Sequence, residues 1–378
     1  MNIVYFAPIR WDFLKQRPQH IAEELSQYYK VCFVEPSISI INSLVYKNDD
    51  YKPRDFNISE NLRVLRPSGK FRLPKIFELV DFVGFNLIYE KIYLKEIMEQ
   101  ADLIWLGSPI FYSLIEKTKK SIIYDKMDEH GKLVENYLMK QLIEKNEKKL
   151  LKRADLILAS SRYLYEQIQL IEESVELVRN GLDQSICMID PNAANNRLSH
   201  EIKKIKENDK NLIFGYVGTI DHWFDFSVIK QIVNHDDRNK VVIVGHNKLP
   251  VLNHPNVFYF DAVPKDELGL IIKEFDFGLY PFKQGDLLDT IDPVKIYDYL
   301  SFNKAVIAVS STETSRFEGK VNLYTNDKEL NDILKKSRET RYHYPFTESE
   351  TKCFINENSW SNRTSIIIDY MKKHRILN

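Results

Sequence analysis

The sequence has almost no net charge: 53 Lys and Arg stand against 54 Asp and Glu, so no global field draws the chain to nucleic acid or to an anionic bilayer. Any basic surface has to be local. Cysteine is scarce as well. Cys32, Cys187 and Cys353 lie far apart, are odd in number and form no metal-ligand spacing, which points to a reducing compartment. No uninterrupted apolar run reaches the length that crosses a bilayer, and the opening MNIVYFAPIR reads as a core strand, not as a basic, apolar export leader. The expectation is a cytoplasmic protein. Disorder is excluded by what the chain does have, since 44% apolar and 12% aromatic residues supply ample material for buried sheets.

A length of 378 residues predicts two compact units. Short runs rich in β-branched residues, at 2–8, 31–36, 102–107, 121–126, 155–160 and 175–181, read as strands of a parallel sheet buried on both faces. Between them, stretches such as RPQHIAEELSQYY and LVENYLMKQLIEKNEKKLLKRA place apolar residues at three and four spacing, as crossover helices do. The pattern breaks into polar, loop-forming sequence at Asp190, Pro191 and Asn192, where the interdomain connection is expected. A second alternating series follows, with strands at 212–218, 240–246, 256–262, 276–282 and 305–311. The fold class is therefore α/β, two doubly wound Rossmann-like domains over 1–182 and 183–356, with a final helix at 357–378 packing back on the first.

Two such domains create a cleft at the carboxyl ends of their strands, where open α/β sheets bind ligands. The sharpest candidate there is the segment DPVKIYDYLSFNKAVIAV, 292–309. Asp292 is suited to an N-cap and Pro293 to a first helical residue, so a helix is expected to run from there to Phe302. Its leading amides, around Pro293 and Val294, would make an anion site. Asp298 falls about 9 Å further along the axis, which suits a diphosphate at the tip and a ribose diol on the carboxylate. Lys295 lies three residues before it, on nearly the same face, where an ammonium could neutralise phosphate. The alternative for this pair is a surface helix with an i,i+3 ion pair.

Four other loops carry candidate chemistry. Gly218 and Thr219 follow the first strand of the second domain, where glycine lets a backbone approach phosphate; the alternative is an ordinary turn with Trp223 and Phe224 plugging the core. His246, after the next strand, would face base or diphosphate. In the first domain the long loop from Pro8 offers Arg10, Trp11 and Arg17, with His20 at the helix start. These are assigned to the acceptor, against a reading in which Arg17 and His20 brace the helix. The loop Tyr124–His130 is dense in titratable groups. Asp125 reads there as a structural carboxylate and Asp128 as the one that faces the cleft.

The string 292–309 resembles the nucleotide-sugar segment of GT-B glycosyltransferases, in particular family 4 members of capsule and teichuronic acid synthesis. RPQHIA (17–22), VEP (34–36), YDKMDEH (124–130), RADLILASS (153–161), VRNGLD (178–183), GYVGTIDHWFDF (215–226) and NSW (358–360) are similar to the same group in the same order. The resemblance implies transfer of a sugar from a nucleoside diphosphate sugar to a glycan or polyprenyl-linked glycan, with retention and without a metal or cofactor. It implies that Asp298 is the second acid of the family's E-x7-E pattern. The first position is Thr290, so that half is absent; Asp286, Asp289 and Asp292 are the neighbouring carboxylates. Lys295 and Asp128 are the catalytic candidates. DHWFD (221–225) and HDD (235–237) read as a loop and a helix end, not as metal motifs.

The Lys-rich runs KTKK (117–120) and EKNEKKLLKR (144–153) suit peripheral contact with the inner face of the plasma membrane; the alternative is solvated helix faces, since Glu144 and Glu147 interrupt the second. Competing functions are a nucleotide-sugar epimerase of the same fold and an inactive, binding-only homologue.

Overall fold

The computed structural model describes residues 1–39, 52–69, 85–134, 136–188, 197–207, 209–339, 342 and 345–377. The expected connection at 190–192 and the start of the long helical stretch before Phe85 lie outside the described residues. The chain divides into two compact units, Met1–Arg179 with Arg363–Asn378, and Asn180–Asn362.

In the first unit the strands are β1 (Asn2–Phe6), β2 (Lys30–Val34), β3 (Ile38–Ser39), β4 (Arg54–Ser59), β5 (Leu62–Arg66), β6 (Ser68–Gly69), β7 (Leu103–Leu106), β8 (Ser121–Lys126), β9 (Leu156–Ala159) and β10 (Val175–Leu177). Eight of them form one sheet in the order β10-β9-β8-β7-β1-β2-β5-β4, and β3 pairs β6. All neighbours in the large sheet are parallel except β4 on β5. The burial follows the composition: β7 and β9 are buried at every position, as apolar runs covered on both faces must be. The edge strand β4 is half-buried or exposed at every position and reads RDFNIS, too polar to stand out in the sequence.

The second unit holds β11 (Leu212–Val217), β12 (Asn239–Val244), β13 (Val257–Phe260), β14 (Phe277–Tyr280), β15 (Ala305–Val309) and β16 (Asn322–Tyr324). They form one parallel sheet in the order β13-β12-β11-β14-β15-β16, so the winding reverses between β11 and β14. Both units are thus Rossmann-like, as the alternation of periods requires, and every strand run read from the sequence is present.

One close approach in this sheet positions the site. Gly215 on β11 lies opposite Gly278 on β14. A Cβ on Gly278 would sit 2.3 Å from the Tyr299 ring, so only glycine lets that ring lie against the strand. Tyr299 belongs to the helix Val294–Ser301, and its hydroxyl accepts from the Val217 amide at 3.1 Å. The helix is thereby fixed against the end of β11.

The final helix, Trp360–Lys373, begins in the second unit, with the Ser359 hydroxyl accepting from the Asn362 amide at 3.1 Å. From Arg363 onward it belongs to the first unit, where Lys373 (2.5 Å) and His374 (3.0 Å) meet Glu176.

Candidate functional site

The second unit gathers its chemistry at the carboxyl edge of the sheet, at the reversal between β11 and β14, the position where open α/β sheets take ligands. The loop after β11 is held from both sides. Its Ile220 amide donates to the His246 carbonyl (2.8 Å) and Lys248 donates back to Ile220 (3.0 Å), joining it to the loop after β12. On the other side Asp225 donates to Pro281 (2.8 Å) and Lys283 to Trp223 (2.8 Å), joining it to the loop after β14. Phe224 is fully buried against Tyr216, as a core plug should be. The sequence offers both a plug and a ligand turn here, and Gly218 carries the second.

Gly218 has φ +146 and Gly245 φ +145, backbone that a side chain rarely adopts. A Cβ on Gly245 would stand 2.2 Å from the Gly218 carbonyl oxygen, and one on Gly218 would stand 2.4 Å from Lys295 Cε. Two bare loops and a lysine therefore meet at one point. Thr219 is half-buried beside it, its carbonyl accepting from the Tyr216 hydroxyl at 2.9 Å. His246 contributes its backbone to this brace while its side chain is exposed.

Lys295 does not make the i,i+3 ion pair that a surface helix would offer. Its ammonium lies 5.6 Å from the ring centroids of both Tyr216 and Phe282, on the aromatic side of the site. Desolvation lowers its proton affinity, and the Asp298 charge only partly offsets that. Asp298 is half-buried, and desolvation pushes its carboxyl up to about 7 against the pull of Lys265 and Lys295. Lys265 in turn pairs with Asp183 at 2.7 Å. The sequence reading missed Lys265, which stands in a different crossover and shares no motif with Asp298. Both Lys295 and Asp298 are thus held in states that a ligand can improve: a cation short of an anion, and a carboxylate short of donors.

Three assignments at the helix start are corrected. The helix begins at Val294 and ends at Ser301, with Pro293 in the cap position and no side-chain cap bond. Asp292 is not the cap. Its carboxylate is buried, accepting from Arg316 (2.6 Å), from the Asn180 amide (2.8 Å) and from the Tyr297 hydroxyl (3.3 Å), so it is spent inside the unit and does not reach a donor. The Val294 amide turns back to the Asp292 carbonyl at 2.9 Å, so it is not a free anion donor. Thr290 is buried, and Asp289 accepts from the Thr312 amide at 3.0 Å. The side chain of Asp286 lies outside what is described.

In the first unit Arg17 and His20 are also corrected. Arg17 is 5% and His20 6% exposed. The Arg17 guanidinium is spread over both oxygens of the fully buried Asp125 (2.8 to 3.1 Å) and the Val178 carbonyl (2.8 Å). It braces the start of the helix Arg17–Leu25 against β8 and does not meet an acceptor. Arg10 and Trp11 remain accessible, both half-buried. The Trp11 amide donates to Glu35 at 2.6 Å and its ring packs edge-on against Phe33. Glu35 is itself buried against Arg66, which reaches Asp12 at 2.9 Å. This pin at the end of β2 was not read from the sequence, although a carboxylate closing an apolar strand was its signal.

Asp128 follows β8 and its side chain is exposed. Desolvation by the surrounding protein still raises its proton affinity, to about 6, against the pull of Lys126 and Arg17. Nearby, Lys126 is buried and paired with Glu147 at 2.7 Å. Burial first, and then the Lys126 charge, lowers His130 to about 4, which keeps its ring neutral. Among the described residues no group of three His, Cys, Asp or Glu is placed to hold a metal ion.

No protein-family model matches the sequence. A Bacillus subtilis (strain 168) protein, TuaH, named for teichuronic acid biosynthesis as a glycosyltransferase, is 23% identical over 190 residues. That stretch is 47% of this chain and 46% of TuaH, so the chain spans about half the length of the curated relative it matches. Solved structures match throughout. The α,α-trehalose 6-phosphate synthase of Burkholderia multivorans superposes with a TM-score of 0.66 at 10% identity, over 98% of each chain. Anabaena Alr3699/HepE, in complex with UDP-glucose, gives 0.66 at 12% identity over 99% of this chain and 100% of its own. The synthase of Burkholderia vietnamiensis gives 0.68 at 10% identity, over 98% of each. The chain therefore has the GT-B fold, two Rossmann-like α/β units in tandem.

Proposed function

We propose that the protein is a glycosyltransferase that takes a sugar from a uridine diphosphate sugar and transfers it to a glycan acceptor in cell-surface polysaccharide synthesis. The observation that carries the reading is the meeting of Gly218, Gly245 and Lys295 at the sheet reversal of the second unit, with Asp298 on the same helix near enough for its charge to act on Lys295. Two side-chain-free loops give a diphosphate room to approach backbone, and Lys295 supplies the compensating charge. Asp298, about one turn into the helix, accepts from the ribose hydroxyls. The teichuronic acid protein and the UDP-glucose complex named above support the choice of donor and of acceptor class.

The chemistry asked of these residues is modest. The leaving nucleoside diphosphate accumulates charge as the sugar becomes oxocarbenium-like, and Lys295, poised in a desolvated position, stabilises it. In a retaining, front-face reaction the leaving phosphate takes the acceptor proton. No enzymatic base is then obligatory, and Asp128, with Arg10 and Trp11, orients the acceptor. The acceptor is a lipid-linked glycan at the inner membrane face.

UDP at a hundredfold excess over its Kd raises the melting temperature by about 5–10 °C. Lys295→Met keeps the fold and weakens UDP binding by about ten- to a hundredfold, the worth of a charge-assisted contact. Asp298→Ala abolishes the shift. No response to any UDP, GDP, dTDP or CMP compound would remove the basis of the proposal, and isomerisation of the bare sugar nucleotide without acceptor would favour an epimerase.

A further inference from the structure

The loop after β1 is held along its length by groups that stand outside the candidate site. The Arg10 carbonyl accepts from Gln19 Nε2 at 3.1 Å, and the Gln19 side-chain oxygen accepts from the Gln16 amide at 2.9 Å. Between them the Trp11 amide donates to one oxygen of Glu35 at 2.6 Å. The other Glu35 oxygen accepts from Arg66 Nε, and Arg66 Nη2 donates to Asp12 at 2.9 Å. Arg54 donates to the second Asp12 oxygen at 2.8 Å. A chain of charges thus runs from the ends of β2 and β5 to two consecutive residues of one loop.

Burial makes this arrangement costly. Glu35 is 1% exposed and Arg66 is sealed completely. A buried ion pair adds little to stability over apolar side chains of similar size, so holding the fold together does not account for it. Its product is a fixed geometry. The ring of Trp11 is set independently of its backbone. Trp105, Tyr5 and Phe33 stand side by side across β7, β1 and β2, with ring centroids 5.3 and 5.6 Å apart, and Trp11 closes the row edge-on against Phe33 at 4.9 Å. Amide and ring are therefore both in place before a ligand arrives, while the side chain stays half-buried and within reach.

We infer that Glu35 and Arg66 are positioning residues for acceptor binding: through the Trp11 amide and Asp12 they hold the loop in the shape in which Arg10 and Trp11 meet the acceptor. The inference deepens the proposed function and rests on its assignment of Arg10 and Trp11. Neither Glu35 nor Arg66 touches the acceptor itself. Asp12 and Arg54, with side chains 38% and 31% exposed, form the outer end of the chain of charges, where it can be cut while Glu35 and Arg66 stay paired.

The full chain is assayed with UDP-glucose, UDP-galactose, UDP-N-acetylglucosamine or UDP-glucuronic acid as donor, and with a lipid extract of the cells that make it as the source of acceptor. Asp12→Asn is expected to raise the extract concentration at half-maximal rate by about tenfold, the worth of one hydrogen bond to a charged group. The maximal rate, the donor KM and the UDP-induced melting shift stay unchanged. Arg54→Ala moves the half-saturation the same way and less, as an ion pair near the surface does. Glu35→Gln, which keeps the shape and one accepting oxygen, shows the same split. In Asp12→Asn combined with Trp11→Ala the loss falls short of the product of the two single losses, because the pin acts through Trp11. Unchanged half-saturation in the three single variants of the pin, losses that multiply in the double variant, or an equal fall in maximal rate and melting shift would overturn the inference while transfer itself stands. No transfer by the wild type from any of these donors would sink the proposed function, and this inference with it.

Discussion

Asp298 shows why a site residue can be chosen from sequence while its behaviour cannot. The family resemblance and the helix register select it, but only desolvation in the folded unit, working against the pull of Lys265 and Lys295, raises its carboxyl to about 7. The folded group holds its proton well above the ordinary 3.8, so the stability it contributes is complete below about pH 4 and is lost as pH rises through 7. Asp298→Asn should therefore melt higher than the wild type at pH 8 in the absence of nucleotide, with the two converging near pH 4. UDP affinity of the wild type should rise from pH 6 to pH 8, since the ionised carboxylate is the better acceptor of ribose hydroxyls, and titration calorimetry would show it. A flat profile in both would mean that the carboxylate is an ordinary solvated one. Arg17 is the opposite case, a residue whose type suggested a ligand and whose burial assigns it to the frame. Arg17→Ala leaves Asp125 charged and sealed, and should cost about 3–5 kcal/mol in denaturant unfolding; a loss of acceptor affinity at unchanged stability would restore the original reading.

At the scale of elements, the strand runs were legible because parallel strands covered on both faces are continuous apolar stretches. What escaped was polar or short: the edge hairpin β4–β5 and the three-residue β16. The helix carrying Lys295 and Asp298 was found, but its first turn was misread. Asp292 before Pro293 has the look of a cap, and nothing in the local sequence reveals that Arg316 and the Asn180 amide claim its carboxylate. The element is held instead by Tyr299 lying on Gly278 and reaching Val217. Gly278→Ala should overpack that contact and cost about 1–3 kcal/mol, with UDP affinity falling in proportion to the helix displacement. Gly245→Ala should be worse for nucleotide binding than Gly218→Ala. Its Cβ meets backbone at 2.2 Å, whereas that of Gly218 meets the flexible end of Lys295. Melting curves with and without UDP for the three variants decide the order.

At the scale of the molecule, the chain leaves the first unit at Arg179 and returns to it at Arg363. The return is structural, since Ile367 and Met371 are fully buried. A chain ending at Asn362 should lose about 3–6 kcal/mol from these two side chains alone, measurable by urea unfolding. Among the described residues no helix is long and apolar enough to cross a membrane. The two lysine runs at 117–120 and 144–153 were visible in the sequence, but their meeting, with Arg153 donating to the carbonyls of Thr118 and Lys120, was not. The two alternating α/β series, the strands within them, and the helix and loops that carry the donor candidates follow from the order of residues alone, because hydrophobic period and turn residues act over short stretches of chain. Which charged groups are already spent, as Arg17 and Asp292 are, and which stay open, as Lys295 and Asp298 do, emerges from long-range packing. Whether a buried charge finds its partner depends on residues a hundred or more positions away, and no local pattern records that distance.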